Sequence, residues 1–430
     1  MFCQLEVLRH SFPSSVRHIL EELPESLDET YERILKEIRK PKQRHAHRLL
    51  QCLVAAARPL RVEELAEVLA FDFAGNAEGI PNLNLGWRWE NQEEAVMSTC
   101  SSLVIVVKDE DSRIVQFSHF SVKEFLTANR LAEPIRDVSR FHIRLEAAHT
   151  ILAQACLGIL LRLDDRVDRD NIKEFPLARY AAQYWPPHAR FENVSSHIMD
   201  GMKRLIAADK PHFATWLWIY NEDRGRPMST TCPEKPEAVP LYYAAMLGLR
   251  DLAEHIIAEH PEHVNARGGV CVTPMHAAAN AGHTDILSLL LDHGADVDSL
   301  NSFRQTPLCI ASSKENFEAG RCLLDRGADI NHEGGMLTPL DFVVYRGDFD
   351  FARMLLNRGA RVNARSVGVR SPLHWAADQR KTQVVRLLLE HGADINARNG
   401  PGNTPSQLAS RNGYHEIVKL LSEYGAGSVK

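Results

Sequence analysis

No Gly-Lys dipeptide occurs anywhere in the sequence, nor does Gly-x-Ser-x-Gly or His-Glu-x-x-His. The first absence excludes a phosphate-binding loop of the Gly-x-x-x-x-Gly-Lys-Ser/Thr type, whose backbone N–H groups and lysine hold nucleotide phosphates. The other two remove the nucleophile elbow of the α/β-hydrolases and the zinc-protease helix. No stretch approaches the roughly 18 apolar residues of a membrane-crossing helix. The longest candidate, Ile151 to Leu161, is interrupted by Gln154 and followed by Arg162. The first residues, Met1-Phe2-Cys3-Gln4-Leu5-Glu6, lack the basic and apolar regions of a signal peptide. The eight cysteines contain no Cys-x-x-Cys pair, so reduced, buried thiols and a cytoplasmic location are expected. There is no positive excess: 50 Lys and Arg face 56 Asp and Glu. Phosphate neutralisation needs a basic face, so neither a nucleic-acid nor a membrane partner is expected. No cofactor, metal site or catalytic residue is assigned, and an enzyme is not expected.

What is present is length and periodicity. A chain of 430 residues, 44% hydrophobic, is long enough for about two to four domains with real cores. From residue 239 one pattern recurs: Val239-Pro240-Leu241-Tyr242, Thr273-Pro274-Met275-His276, Thr306-Pro307-Leu308-Cys309, Thr338-Pro339-Leu340-Asp341, Ser371-Pro372-Leu373-His374 and Thr404-Pro405-Ser406-Gln407. Successive copies start 34, 33, 32, 33 and 33 residues apart. In phase with them run Gly294, Gly327, Gly359, Gly392 and Gly425, each followed by Ala. Thr or Ser before Pro reads as an N-cap followed by the first helical residue, where the missing N–H costs nothing. Small residues such as Ala277, Ala278 and Ala279 let that helix pack closely. A turn at Gly282 or Gly413 leads to a second helix with an apolar stripe, such as Val384, Val385, Leu387 and Leu388. The phased glycine then ends the second helix in the left-handed conformation, and Asp296-Val297-Asp298 and its equivalents open the loop to the next unit.

In period and in its Thr-Pro-Leu-His signature this segment resembles the ankyrin repeat, in about six copies. The resemblance implies an α-solenoid with a concave face, and a hydrogen bond from His276 and His374 within their own turns. Two departures are visible. Arg380-Lys381 replaces the usual Gly-His turn, so a distorted turn is expected, and Ser406 and Gln407 suggest an atypical capping repeat. Ankyrin contact positions carry over to Val270, Val272, Asn280 and Ala281; to Phe303, Gln305, Ser313 and Lys314; to Leu337, Tyr345 and Arg346; to Arg370, Asp378 and Gln379; and to Asn403, Arg411 and Asn412. Phe303, Tyr345, Arg346 and Arg411 are the leading candidates, because aromatic and Arg side chains dominate binding hot spots. The implied partner is a protein.

Residues 1–238 lack the period. Residues 1–40 read as helices Ser15 to Leu23 and Leu27 to Ile38, stopped by Pro41. Residues 41–134 read as helices near 43–57, 62–70 and 91–99, strands Leu103 to Lys108 and Arg113 to Ser118, and a helix Ser121 to Leu131, an order that suggests a winged-helix unit. Residues 135–238 read as a helical spacer: Phe141 to Leu163, Pro176 to Tyr184 and Phe191 to Ala208, punctuated by Trp185-Pro186-Pro187 and Trp216-Leu217-Trp218. It ends in a linker from Asn221 to Ala238. Residues 239–430 are the repeats. The fold expected is therefore mostly α: a winged-helix unit and helical spacer, then an ankyrin-repeat α-solenoid.

The segment Leu23-Pro24-Glu25-Ser26-Leu27-Asp28-Glu29-Thr30-Tyr31 resembles the one that follows the NACHT nucleotide-binding domain in fungal-type NACHT–ankyrin proteins. Arg58-Pro59-Leu60-Arg61-Val62-Glu63-Glu64-Leu65, Cys100-Ser101-Ser102-Leu103-Val104 and Phe117-Ser118-His119-Phe120-Ser121 resemble that family's winged helix, of the GPI inositol-deacylase type. The resemblance spans residues 5–238 and brings no catalytic residues. It implies the sensing half of an NLR-like switch whose ATPase, absent here, acts in cis or in trans, so a short form or a piece of a longer product is expected. An adaptor presenting a bound protein to a modifying enzyme is the alternative. Winged helices often bind DNA, but Glu90, Glu93 and Glu94 near the third helix and Glu63, Glu64 and Glu67 on the second give acidic faces that repel phosphate.

Overall fold

Ser26 caps the first described helix. Its hydroxyl accepts the Glu29 N–H at 3.2 Å, and Leu27–Glu37 (α1) follows with Asp28 and Glu29 in its first turn, where carboxylates offset the helix dipole. The computed structural model describes residues 26–73, 80–109, 112–133, 137–164, 166–168, 170–207, 210–222, 236–332 and 337–425. The expected helix Ser15 to Leu23 and residues 223–235 of the expected linker lie outside them. The chain divides between Pro236 and Glu237 into two units.

In the first unit Pro41 does not end a helix; it sits in the first turn of α2 (Lys40–Ala55), the place where a proline is tolerated. There follow β1 (Leu60–Arg61), α3 (Val62–Leu69), β2 (Phe71–Asp72), β3 (Asn82–Leu83), α4 (Gln92–Cys100), β4 (Val104–Asp109) and β5 (Ser112–Phe117). The antiparallel sheet has the order β1-β5-β4, with Leu60 and Val106 on either side of Val115. Leu49, Leu50, Leu65, Val68, Val96, Val104 and Val115 close its core against α2, α3 and α4. Two of the expected surface acids prove to be internal. Glu64 is buried, takes both guanidinium nitrogens of Arg58 at 2.8 and 2.6 Å, and accepts the Arg61 N–H. Glu67 is buried against Arg88 and the Leu177 N–H. Neither presents free charge to solvent, so of the acids expected on these two helices Glu63 on α3 and Glu90, Glu93 and Glu94 at α4 are the ones left accessible.

The helix expected over Ser121 to Leu131 divides at Ala128 into α5 (Phe120–Thr127) and a 3₁₀ turn, Asn129–Ala132. Then α6 (Leu145–Leu160) runs through the centre of the unit, packed on α2, α7 (Ala178–Ala189) and α8 (Val194–Leu205), and α9 (Pro211–Glu222) packs on α7. Pro186 and Pro187 lie inside α7 instead of ending it. Proline cannot donate to the carbonyl four residues back; here the indole N–H of Trp216, from α9, donates to the orphaned Ala182 carbonyl at 3.0 Å.

A buried polar chain joins the start of this unit to its end. The Ala57 N–H donates to the Tyr180 hydroxyl at 3.1 Å, that oxygen lies 2.9 Å from His188 Nε2, and His188 Nδ1 lies 2.8 Å from His149 Nδ1. One assignment gives each proton a partner: Tyr180 donates to His188 Nε2, His188 Nδ1–H donates to His149 Nδ1, and both imidazoles are neutral. Burial, with His149 nearby, pulls His188 down to about 3, and burial also lowers His149. Groups whose folded pKa is depressed in this way cost stability once the unfolded chain can take up the proton. Stability should therefore fall as pH drops from about 6.5 toward 3. Tryptophan fluorescence reports this unit, which holds five of the six tryptophans. Its urea midpoint should fall less steeply between pH 6.5 and 4 in His149→Gln/His188→Gln than in the native chain; equal slopes would refute the neutral chain.

The second unit is six helix pairs: α10 (Pro240–Leu247) with α11 (Arg250–Glu259), α12 (Pro274–Ala281) with α13 (Thr284–Asp292), α14 (Pro307–Ser313) with α15 (Phe317–Asp325), α16 (Pro339–Arg346) with α17 (Phe349–Asn357), α18 (Pro372–Asp378) with α19 (Thr382–Glu390), and α20 (Pro405–Arg411) with α21 (His415–Glu423). Thr273, Thr306, Thr338 and Thr404 are N-caps, each accepting the N–H three residues on. The first helices pack on one another in series. The second helices also meet, Phe317 standing edge-on to Phe351 at 5.5 Å. The Arg380 turn keeps the common shape. Arg380 takes φ 58 and the Lys381 N–H reaches the Ala376 carbonyl, as His283 reaches Ala278 in the second repeat. Arginine there accepts the left-handed cost that glycine avoids.

The phased glycines lie at φ 80 to 96. A Cβ added at Gly327 would touch nothing within 4 Å, so its replacement carries only the conformational cost. Gly327→Val should destabilise the repeats by ~1–2 kcal/mol, read as a lower melting temperature in far-ultraviolet circular dichroism. An unchanged melt would contradict the left-handed assignment.

Candidate partner-binding face

Each repeat is fixed to the next by polar ties. His276 Nδ1 lies 2.8 Å from Thr273 Oγ1, and its Nε2 lies 3.0 Å from the Gln305 carbonyl. His374 makes the same pair of contacts with Ser371 and with the Asn403 carbonyl, at 2.8 and 3.1 Å. A carbonyl only accepts, so Nε2 carries the proton and Nδ1 accepts from the hydroxyl. The expected bond within the turn is present, together with a second one that reaches the following loop. A parallel ladder runs outside it. The Asn265, Asn331 and Asn363 carboxamides donate to the carbonyls of Gly294, Gly359 and Gly392, and accept from the N–H groups of Asp296, Arg361 and Asp394. These ties hold the loop tips in register, which fixes where the candidate binding residues stand.

In the fourth repeat Asp341 occupies the histidine position. One carboxylate oxygen accepts the Thr338 N–H and hydroxyl at 3.0 and 2.8 Å; the other, Oδ1, is buried with no hydrogen-bond partner among the described residues. In the last repeat Gln407 closes the same capping box on Thr404 at 2.8 Å. Burial, working against the Thr338 bonds and the Ser366 hydroxyl, raises Asp341 from 3.8 to about 6.

The expected contact residues divide into three groups. Phe303 is 71% exposed and Tyr345 43%, and Val270, Lys314, Arg346, Arg411 and Asn412 are also exposed. A second group is half-buried and already engaged. Gln305 is held by Asn301, and Ser313 donates back to Ile310. The Asn280 carbonyl takes the Asn316 amide, and Asn403 is bonded by Asn399 and His374. Ala281, Leu337 and Gln379 are half-buried. Val272 alone is buried, at φ 78.

Around the fourth and fifth repeats a cluster forms that the contact positions capture only in part. Trp375 stands edge-on to Tyr345, 5.9 Å between centroids, and the Arg370 guanidinium lies 4.5 Å over the Trp375 ring. Arg370 also pairs with Asp378 at 2.9 Å, and Asp378 accepts from Asn412 at 3.0 Å. Arg346 reaches Glu315 at 3.7 Å. The neighbouring loop tip carries Val367 and Val369, 47% and 46% exposed, the latter at φ 56. Trp375, Val367 and Val369 escaped the sequence reading. Trp375 is the largest residue in a column otherwise holding Tyr243, Ala277, Ile310, Phe342 and Leu408, and that size was the available signal. No helix among the described residues is long and apolar enough to cross a membrane.

The two kinds of domain have parallels in known proteins. Residues 241–334, 296–366 and 340–429 match the family described as ankyrin repeats (3 copies), and residues 31–136 match the GPI inositol-deacylase, winged helix domain. The chain is similar to the azaphilone pigments biosynthesis cluster protein L of Monascus ruber, 36% identical over 296 residues, which are 65% of this chain and 61% of that protein. It is also similar to alpha-latrocrustotoxin-Lt1a of Latrodectus tredecimguttatus, 36% identical over 75 residues, 17% of this chain and 5% of the toxin. Ankyrin repeat domain-containing protein 49 of Bos taurus is 34% identical over 94 residues, 20% of this chain and 40% of its own. The chain thus spans about three fifths of the fungal relative's length and far less of the toxin's.

Asp341 offers a test of the ties. A carboxyl raised from 3.8 to about 6 contributes stability below 3.8 that is lost as pH rises through about 6. Asp341→Asn should keep the acceptor for Thr338 and raise the melting temperature at pH 7.5, with the gain gone at pH 4. A fall at both pH values would refute the reading. These ties, caps and packed helix pairs, with the matches beside them, establish that the chain carries ankyrin repeats, a protein–protein interaction module, together with a winged-helix domain of the GPI inositol-deacylase type.

Proposed function

We propose that this chain is the sensing or scaffolding half of an NLR-like signalling protein, acting in the cytoplasm and taking a protein partner on the loop-tip and first-helix face of its repeats. One observation carries the reading: Tyr345, Trp375 and Arg370 form a single aromatic–guanidinium cluster on the frame of packed repeats. Such side chains supply most hot-spot energy, and a solenoid offers them on an extended surface. Val369, a β-branched residue in the left-handed region, adds support, since such backbone costs about 1–3 kcal/mol and is found mainly at functional sites. On this reading residues 1–40, the winged helix at 41–134 and the helices of 135–238 form the coupling half, and a NACHT-type ATPase acts with it in cis or in trans.

A second reading, an adaptor with an enzyme docked on the first unit, is favoured by the exposure there of Leu85, Trp87 and Phe120. The two differ in which unit retains a NACHT-type ATPase or a modifying enzyme.

The face has a direct test. Phe303→Ala/Tyr345→Ala/Arg346→Ala should leave the melting temperature within a few degrees while weakening partner capture by more than ~100-fold, given that hot-spot truncations each cost upward of ~1–2 kcal/mol. Affinity capture from the source cells, quantified against the native chain, measures this. Full retention of the partner by a folded triple variant would place the binding surface elsewhere.

A further inference from the structure

The first repeat ends in Glu259-His260-Pro261-Glu262-His263-Val264. Helix α11 stops at Glu259, His260 leaves it at φ −136, and Pro261 opens a 3₁₀ turn, Pro261–Asn265. A 3₁₀ turn has three residues per turn, so side chains three apart eclipse. His260 and His263 accordingly stack, 4.9 Å between centroids at 22°. Between them in sequence, Glu262 places Oε1 3.1 Å from His260 Nδ1. One nitrogen of each imidazole and a carboxylate oxygen of Glu262 all lie within 4.8 Å of one another.

We propose that His260, Glu262 and His263 form a divalent transition-metal site, suited to zinc, at the junction of the first and second repeats. Two imidazoles and one carboxylate are an established zinc ligand set that leaves a fourth position open. Tetrahedral ligands at ~2.0–2.1 Å from zinc stand about 3.4 Å apart, so the three atoms must close by up to about 1.4 Å. The His260 and Glu262 side chains are exposed and can turn to do so.

The His260–Glu262 contact alone would be an ordinary exposed ion pair of little worth to stability. It does not account for His263, whose Nδ1 is buried without a hydrogen-bond partner. An orphaned buried nitrogen costs stability, and drawing the ring into a metal site gives its polar atoms a use. The site is braced. Val264 is buried, and Asn265 grips the Gly294 carbonyl and the Asp296 N–H, both at 3.0 Å. The ion would thus clip the turn that begins the asparagine ladder. The sequence reading assigned no metal here because His-x-Glu-His matches no familiar zinc spacing. The grouping arises from the 3₁₀ turn, not from a helix.

The test is a zinc titration of the reduced full chain against a chromophoric chelator, with thermal melts in parallel. The native chain should bind one more equivalent of Zn²⁺ than His260→Ala/His263→Ala, and saturating Zn²⁺ should raise its melting temperature but not that of the double variant. Glu262→Gln, a change at an exposed side chain that leaves the fold intact, should weaken binding by more than the ~10–100-fold typical of outer-shell changes. Co²⁺ substitution should give absorption without the near-ultraviolet band of thiolate ligation. Equal stoichiometry and equal melting shifts in native chain and folded variants would overturn the site, as would unchanged affinity in Glu262→Gln or a thiolate spectrum for the lost equivalent.

Discussion

Two junctions between repeats rest on one polar arrangement: an imidazole at the third position of the first helix that satisfies its own N-cap and then reaches the loop of the next repeat. His276 and His374 do this with both ring nitrogens, which obliges the ring to be neutral and fixes its tautomer. No repeat can complete the bond by itself, because the accepting carbonyl belongs to its neighbour. The asparagine ladder repeats the logic at the other end of the loop. Hydrophobic burial draws the helix pairs together without specifying register, since its strength follows area and not direction. The directional bonds set the register, and register is what brings loop tips 33 residues apart into one surface.

The same constraint recurs in the first unit in another form. Tyr180, His188 and His149 carry a chain of neutral donors and acceptors from the Ala57 N–H into α6 and α7, and the Trp216 indole supplies the N–H that Pro186 lacks. In each case a side chain distant in sequence satisfies a group that local structure leaves open. Buried polar groups without such partners are costly, so these contacts fix which helices pair while the apolar faces hold them together.

This explains what could be read from the sequence. The capping Thr-Pro pairs, the phased glycines and the helix stripes are local, and each was legible residue by residue. The hairpin β4–β5 was visible because two β-branched runs flank a polar turn, whereas β1, β2 and β3 are two residues each and too short to carry a signal. Pro186 and Pro187 misled because the compensating indole lies 30 residues further on. Glu64 and Glu67 misled because their charge is cancelled by Arg58 and Arg88, pairings set by tertiary packing. Among the contact candidates, position within the repeat placed Phe303, Tyr345 and Arg346 on the surface. It missed Trp375, whose role depends on Tyr345 from the preceding repeat, and it included Val272, which the backbone turns inward.

The junction between the fourth and fifth repeats joins these two themes. There Asp341 stands where an imidazole would reach across, but a carboxylate has no proton to give the next loop's carbonyl, and only the Ser366 hydroxyl of that loop acts on it. At this same junction Tyr345 from α16 meets Trp375 from α18 edge to face, and the Trp375 indole donates to Ser366 at 3.0 Å. An edge-to-face aromatic pair contributes about 0.5–1.5 kcal/mol beyond its burial, the same range as the net worth of a hydrogen bond. The aromatic pair can therefore replace the missing tie in magnitude as well as in place. On the proposed reading, the surface that takes the partner is also a joint of the frame. A partner covering Tyr345 and Trp375 would exclude water from that joint and stiffen it, so binding and repeat-to-repeat coupling would draw on the same side chains.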